Sequence, residues 1–345
     1  MTPLFLGLAG PALTDGERAL FAGIDPAGYI LFARNIVDAP QLRALTDALR
    51  ALAGRADLPI LIDQEGGRVA RLRPPLAPAF PPAAVFGAAF ARAPVTAMAA
   101  ARANAEAIGR ALAAFGISVD CLPVLDVPAE GAHDIIGDRA FARDPLAVAA
   151  LGRATLDGLQ RAGVVGVVKH VPGHGRARAD SHLDLPVVEA SEAELETDLE
   201  PFRRLADAPM AMTAHILYPA WDSARCATLS PGIIARVIRG RIGFGGLLMS
   251  DDLGMQALAH QPGAEAMGRR AALALEAGCD IALHCSGDLA EMESIAAEVP
   301  PIGEQARQRL ARAMAWPRAP RVPHDGESPS LDALIARRDA LLAAA

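Results

Sequence analysis

Alternation constrains this chain more than any other feature. Short runs of Leu and β-branched residues recur at Leu4–Leu8, Tyr29–Ala33, Pro59–Asp63, Ile117–Asp126, Val164–His170, Met210–His215, Gly246–Asp251 and Asp280–His284. Between them lie stretches of helical composition: Thr14–Phe21, Ala39–Leu52, Val95–Phe115, Pro145–Ala162, Ser191–Ala206, Pro231–Arg239 and Gly263–Ala277. Runs that are apolar throughout suit parallel strands covered on both faces. Strand–helix alternation then leaves an open doubly wound sheet or a closed barrel. The number of runs, the lack of a nucleotide-binding glycine fingerprint after the first, and polar residues at the C-terminal ends of many favour a single-domain α/β protein, a (β/α)8 barrel of the TIM type. Local punctuation agrees. Thr14 and Ser191 read as N-caps, Ser191 with Glu194 as a capping box, and Gly163 and Gly278 stand where helices should stop.

Residues 1–300 are expected to form the barrel. Residues 301–345 are expected to add a Pro-rich tether, Pro317–Pro329, and a helix packed on the barrel exterior. A formal charge of −7 gives no general attraction to nucleic acid or to an anionic membrane. No apolar stretch reaches the ~20 residues that span a bilayer. The apolar N-terminus has no Lys or Arg before Arg18 and is broken by Gly and Pro, unlike a signal peptide. The four cysteines, Cys121, Cys226, Cys279 and Cys285, form no CxxC pair and read as free thiols. A cytoplasmic protein is expected, and with no obvious interface helix, a monomer.

Three constellations carry chemistry. In Leu61-Ile-Asp63-Gln-Glu65-Gly-Gly-Arg68-Val-Ala-Arg71 an apolar strand delivers two carboxylates of the same parity, then a glycine pair suited to a sharp turn or a close approach. In Val167-Val-Lys169-His170-Val-Pro-Gly-His174-Gly175, followed by Asp180-Ser-His182, a strand ends in Lys and His and runs into a long Gly/Pro-rich loop. Asp180 and His182 are two positions apart, so the carboxylate can hold one imidazole nitrogen and leave the other for proton transfer. In Gly246-Leu247-Leu-Met249-Ser-Asp251-Asp252 a buried strand ends in adjacent carboxylates. If Leu247 and Met249 face the barrel interior, so does Asp251, the candidate nucleophile, while Asp252 turns outward to cap backbone. Asp126, Arg139 and His215 end or follow further strands. A zinc site from His170, His174 and His182 is a competing reading, and a sugar-binding barrel without chemistry is another.

Taken in order, Tyr29-Ile-Leu-Phe-Ala-Arg34-Asn35, Asp63-Gln-Glu-Gly-Gly-Arg68, Ile136-Gly-Asp-Arg139, Lys169-His-Val-Pro-Gly-His-Gly175, Asp180-Ser-His182, Ala214-His215 and Ser250-Asp-Asp-Leu253 resemble the single-domain β-N-acetylhexosaminidases of glycoside hydrolase family 3. These are the bacterial β-N-acetylglucosaminidases of peptidoglycan recycling. The resemblance implies a (β/α)8 barrel and a retaining double displacement, without metal or organic cofactor. The implied substrate is a small carbohydrate such as N-acetylglucosaminyl-1,6-anhydro-N-acetylmuramic acid and its peptide forms. It implies Asp251 as nucleophile, His182 as general acid/base and Asp180 as its dyad partner. Asp63, Arg71, Arg139, Lys169 and His170 would hold the N-acetylglucosamine unit. Arg176 and Arg178, beside the dyad, are expected to face solvent or an anionic part of the substrate, because unpaired cations would disfavour a protonated His182.

Overall fold

A strand buried on both faces needs apolar side chains at every position, and the recurring runs meet that need. The computed structural model describes residues 1–181, 184–259, 261–318 and 329–345. β1 (Thr2–Gly7), β2 (Pro26–Leu31) and β3 (Ile60–Ile62) lead into a small antiparallel hairpin, β4 (Gln64–Gly66) and β5 (Val69–Ala70). β6 (Val119–Asp120), β7 (Val165–Val171), β8 (Met210–Thr213), β9 (Leu247–Asp252) and β10 (Ile281–His284) follow. All but the hairpin strands form a closed parallel barrel, in which β10 returns to β1 through Leu4–Ala282, Phe5–Leu283 and Leu6–His284. The (β/α)8 expectation holds.

The outer layer is α1 (Asp15–Ile24), α2 (Ala39–Ala53), α3 (Ala83–Phe90), α4 (Pro94–Ala114), α5 (Pro145–Arg161), α6 (Glu192–Arg204), a π-helical segment Ile233–Arg241, α7 (Met267–Ala277) and α8 (Leu289–Glu298). Thr14 and Ser191 cap α1 and α6, each inside a complete capping box. Gly163 and Gly278 take left-handed φ values of 82° and 116° at the ends of α5 and α7, where a side chain would add strain. One run is shorter as a strand than its composition suggests. Of Ile117–Asp126 only Val119–Asp120 pairs regularly, because Pro123 has no N–H to give the ladder. Beyond it the backbone touches β7 at one bridge, Val124 to Lys169.

The barrel interior is packed with apolar side chains. Phe5, Leu61, Val119, Val165, Met210, Leu247 and Ile281 belong to one buried cluster. α9 (Glu304–Ala315) adds Leu310 and Ala313 to that cluster, and Ile302 joins just before it. The Ile302 N–H donates to the Met1 carbonyl at 3.1 Å and Arg309 pairs with Asp280 at 2.8 Å. α9 is therefore the floor of the barrel, at the N-terminal ends of the strands. α10 (Leu331–Ala344) lies against α4, with Arg338 donating to Asn104 at 3.1 Å. Of the expected tether, residues 319–328 lie outside the described residues. No helix among the described residues is long and apolar enough to cross a membrane.

Candidate active site

Parallel strands in a closed barrel deliver their C-terminal ends to one mouth. Here that mouth holds a pocket of about 330 Å³ lined by Asp63, Glu65, Arg71, Arg139, Lys169, His170 and Asp251, among others. Its residues come from six places in the fold. Asp63 follows β3, Glu65 sits on β4, and Arg71 follows β5. Arg139 ends the loop after β6, Lys169 and His170 lie on β7, and Asp251 lies on β9.

One wall is a row of alternating charges. The Arg71 guanidinium donates to Asp63 Oδ2 at 2.9 Å, and Lys169 Nζ to Asp63 Oδ1 at 3.1 Å. Lys169 also reaches Glu65 Oε1 at 2.7 Å. Arg139 grips Glu65 with two parallel bonds of 2.8 Å, the bidentate geometry that fixes a guanidinium most firmly. Burial alone would discharge each member, but the neighbours outweigh it. Lys169, between Glu65 and Asp63, is held well above the usual lysine range. Burial would raise Glu65, yet Lys169 and Arg139 bring it down to about 2. Asp63 is driven below the carboxylate range by Lys169 and Arg71 against the same burial. Three cations and two anions thus stay ionised in fixed positions, leaving one net positive charge on the wall.

Opposite lies the nucleophile candidate. Leu247 and Met249 of β9 are in the barrel interior. Asp251 shares their parity and faces the pocket. Asp252 turns to backbone, accepting the N–H groups of Gly254 and Cys285 at 3.0 Å each, as expected from the sequence. Asp251 Oδ1 accepts the Asp252 N–H at 2.8 Å. Burial works against its charge, but His170, His215, that N–H and Lys169 prevail and hold the carboxyl below its ordinary value. His215 is fixed beside it, its Nε2–H donating to the Asp252 carbonyl at 2.9 Å.

The loop after β7 is anchored at its root. Asp126 accepts the His170 ring Nδ1–H at 2.7 Å and the main-chain N–H groups of His170 and His174 at 3.1 and 2.6 Å. Burial opposes the Asp126 charge, but the two imidazoles and these bonds bring it down to about 2. The Tyr218 hydroxyl donates to the Gly173 carbonyl at 2.6 Å. A Cβ on Gly175 would lie 2.0 Å from the Val127 carbonyl oxygen, so the motif's last position must be glycine for the loop to lie down on residues 127–133. His174 is buried, which pushes its imidazole down to about 4, and its Nε2 meets Ser181 Oγ at 3.1 Å.

The structure gathers Asp63, Arg71, Arg139, Lys169, His170 and Asp251 around one pocket, as the sequence led us to expect. Asp180 is half-buried beside Ser181, which lies at the pocket edge. His182 lies outside the described residues. One expectation is corrected: Arg176, only partly exposed, is not free for substrate but pairs with the buried Asp198 of α6 at 2.6 Å. Arg178 is exposed. Sequence reasoning gave no role to Asp126 and did not place Phe32, Arg68, Ser181, Met255 or Cys285 on the pocket lining. Arg68 donates to the carbonyls of Asp134, Ile135 and Ile136, tying the hairpin turn to the loop that carries Arg139. Phe32 lies near the Arg34 and Arg71 guanidiniums, at 4.8 and 5.3 Å. Among the described residues, no group of three or more His, Cys, Asp or Glu is arranged to hold a metal ion.

Comparison with known proteins points one way. Residues 12–315 match the family described as Glycosyl hydrolase family 3 N terminal domain. A β-hexosaminidase of Alkalilimnicola ehrlichii is 44% identical over 287 residues, spanning 82% of this chain and 80% of its own. One of Chromobacterium violaceum is 42% identical over 320 residues, spanning 92% and 88%. Among solved structures, NagZ from Neisseria gonorrhoeae in complex with N-trifluoroacetyl-D-glucosamine matches with a TM-score of 0.83 at 32% identity, covering 99% of this chain and 96% of that one.

Proposed function

The chain belongs to glycosyl hydrolase family 3, and from that premise we propose that it is a retaining exo-β-N-acetylglucosaminidase. It is a β-hexosaminidase by its relatives, and its N-acetylglucosamine preference is drawn from the structural neighbour bound to an N-acylated glucosamine. The observation that carries the mechanism is the ionised Asp251 facing a wall of fixed donors across a pocket of monosaccharide scale.

The sugar at the non-reducing end enters the pocket. Its hydroxyls donate to Asp63 and to the free ring nitrogen of His170, and accept from Arg71, Arg139 and Lys169, which are already held in place and need no reorganisation on binding. Asp251 attacks the anomeric carbon as the glycosidic C–O bond breaks, giving a glycosyl-enzyme ester. His182, paired with Asp180, gives its proton to the leaving oxygen. In the second step the neutral imidazole takes a proton from water, whose oxygen attacks the same carbon and releases Asp251. Retaining glycosidases usually set two carboxylates ~5–5.5 Å apart. Here the second carboxylate is replaced by an Asp–His pair on a loop, in keeping with the family resemblance. We further propose that the substrates are peptidoglycan fragments, N-acetylglucosaminyl-1,6-anhydro-N-acetylmuramic acid and its peptides, and that the enzyme works in the cytoplasm. Four free cysteines fit that reducing compartment. One chain carries every residue of the scheme, in keeping with action as a monomer.

Hydrolysis of an aryl β-N-acetylglucosaminide tests this reading. Asp251→Ala should abolish turnover, and His182→Ala should spare substrates whose leaving group needs no proton. A slow 2- or 5-fluoro sugar should leave its adduct on Asp251. Turnover in Asp251→Ala at the wild-type rate, or an adduct elsewhere, overturns it.

A further inference from the structure

Asp126 is completely buried and has no part in the scheme above. Its two oxygens do different jobs. Oδ1 accepts two main-chain N–H groups, from His170 and His174, four residues apart at the root of the loop. Oδ2 accepts the ring of His170, at 2.7 Å, and no other group among the described residues. An ionised carboxylate has no hydrogen to give, so Nδ1 of His170 carries the proton. Nε2 is left for the pocket that His170 lines. As a neutral ring His170 therefore presents a lone pair to the sugar. The opposite tautomer, with a fixed Nε2–H and no acceptor, is shut out.

We infer that Asp126 is a positioning residue that sets which nitrogen of His170 meets the substrate, and that ties this imidazole to the root of the loop bearing Asp180 and His182. The inference rests on the proposed role of His170 in holding the sugar. The division of labour between the two oxygens makes it separable from a structural role. In Asp126→Asn, the amide oxygen can still accept both main-chain N–H groups. The amide NH2 replaces Oδ2 and cannot accept from Nδ1–H. His170 must then take the Nε2–H tautomer, with Nδ1 accepting from the new amide, and the wrong hydrogen-bonding character faces the sugar. Loss of the correct tautomer at a functional imidazole held by a buried carboxylate costs orders of magnitude elsewhere. Here the imidazole binds rather than reacts, and the expected loss in kcat/KM is roughly tenfold to a hundredfold, mostly as a rise in KM.

The experiment pairs Asp126→Asn with His170→Ala in a double-mutant cycle, assayed on an aryl β-N-acetylglucosaminide, with ring 15N spectra of His170 and melting temperatures for every variant. The expected result is a large KM effect in the wild-type background that largely vanishes in the His170→Ala background. The His170 proton should move from Nδ1 to Nε2, and Asp126→Asn should remain folded at the assay temperature while melting below the wild type, because a carboxyl brought down to about 2 also stabilises the fold. An undiminished effect in the His170→Ala background overturns the inference. So does an unchanged His170 tautomer, or a loss of activity that tracks the melting temperature alone. If the wild type hydrolyses no hexosaminide, the functional reading fails by itself, and the 15N spectra still decide the tautomer.

Discussion

Glu65 shows what a single residue does in this site. It touches two cations at once, Lys169 through one oxygen and Arg139 through both. Glu65→Gln puts an NH2 against a donor and removes the charge between two cations. KM for the aryl glycoside should rise about tenfold or more, since the donors it seats lose their fixed positions, with a smaller effect on kcat. The same change alters acid stability, and the sign follows from the shift. A carboxyl lowered from 4.5 to about 2 on folding stabilises the native state above pH 4.5, and that contribution is lost as the pH falls toward 2. Thermal melts should show wild type and variant converging across that window. A constant gap from pH 7 to pH 2.5 counts against it. The sequence made Asp251 legible because strand parity alone points it inward. Glu65 could be paired with Asp63 by parity, but its cationic partner Arg139 lies 74 positions away, and no local pattern encodes the register between separate loops. Arg176 went astray for the same reason, since its partner Asp198 is on the next helix.

At the scale of elements, the signals that were read correctly are those carried by short-range chemistry. Ser191 donates to the Glu194 carboxylate at 2.7 Å and accepts the Glu194 N–H at 3.4 Å, closing the box that starts α6. Ser191→Ala should cost about 1 kcal/mol and lower the denaturant midpoint without changing the slope. A midpoint unchanged within error would mean that Glu194 alone stabilises the terminus through its charge. Three elements were missed, two of them without a side-chain cap and one, α8, despite the Asp288 cap that accepts the Glu291 N–H at 3.0 Å. α3, α8 and α9 do not appear among the stretches picked out by composition. α9 reads as polar because only a narrow line of small and apolar side chains, including Leu310 and Ala313, faces the barrel. The reverse error, too long a strand at Ile117–Asp126, comes from counting apolar residues without asking whether each can donate to a ladder.

For the molecule as a whole, closure was legible because eight runs apolar on both faces fit a barrel and do not need open sheet edges. The floor was not, since nothing in a polar helix says which end of a barrel it covers. Leu310, 6% exposed, tests it. Leu310→Ala should destabilise by about 2–4 kcal/mol, and Leu310→Asp by more, because a carboxylate would enter an apolar cluster. KM for the aryl glycoside should stay unchanged in the folded Leu310→Ala enzyme, the pocket being at the opposite end. A shift in KM equal to that from a pocket substitution would show that floor and mouth are coupled.

A barrel stoppered by α9 is a cul-de-sac. Its interior is filled by side chains, so no polysaccharide passes through it, and under the proposed exo action a chain presents only its tip to Asp251. In the proposed exo reaction the remainder of the chain, nearest the mouth, departs first, and the freed monosaccharide follows by the same route. The released sugar is thus the last to leave and competes with the next arrival for the space it vacates.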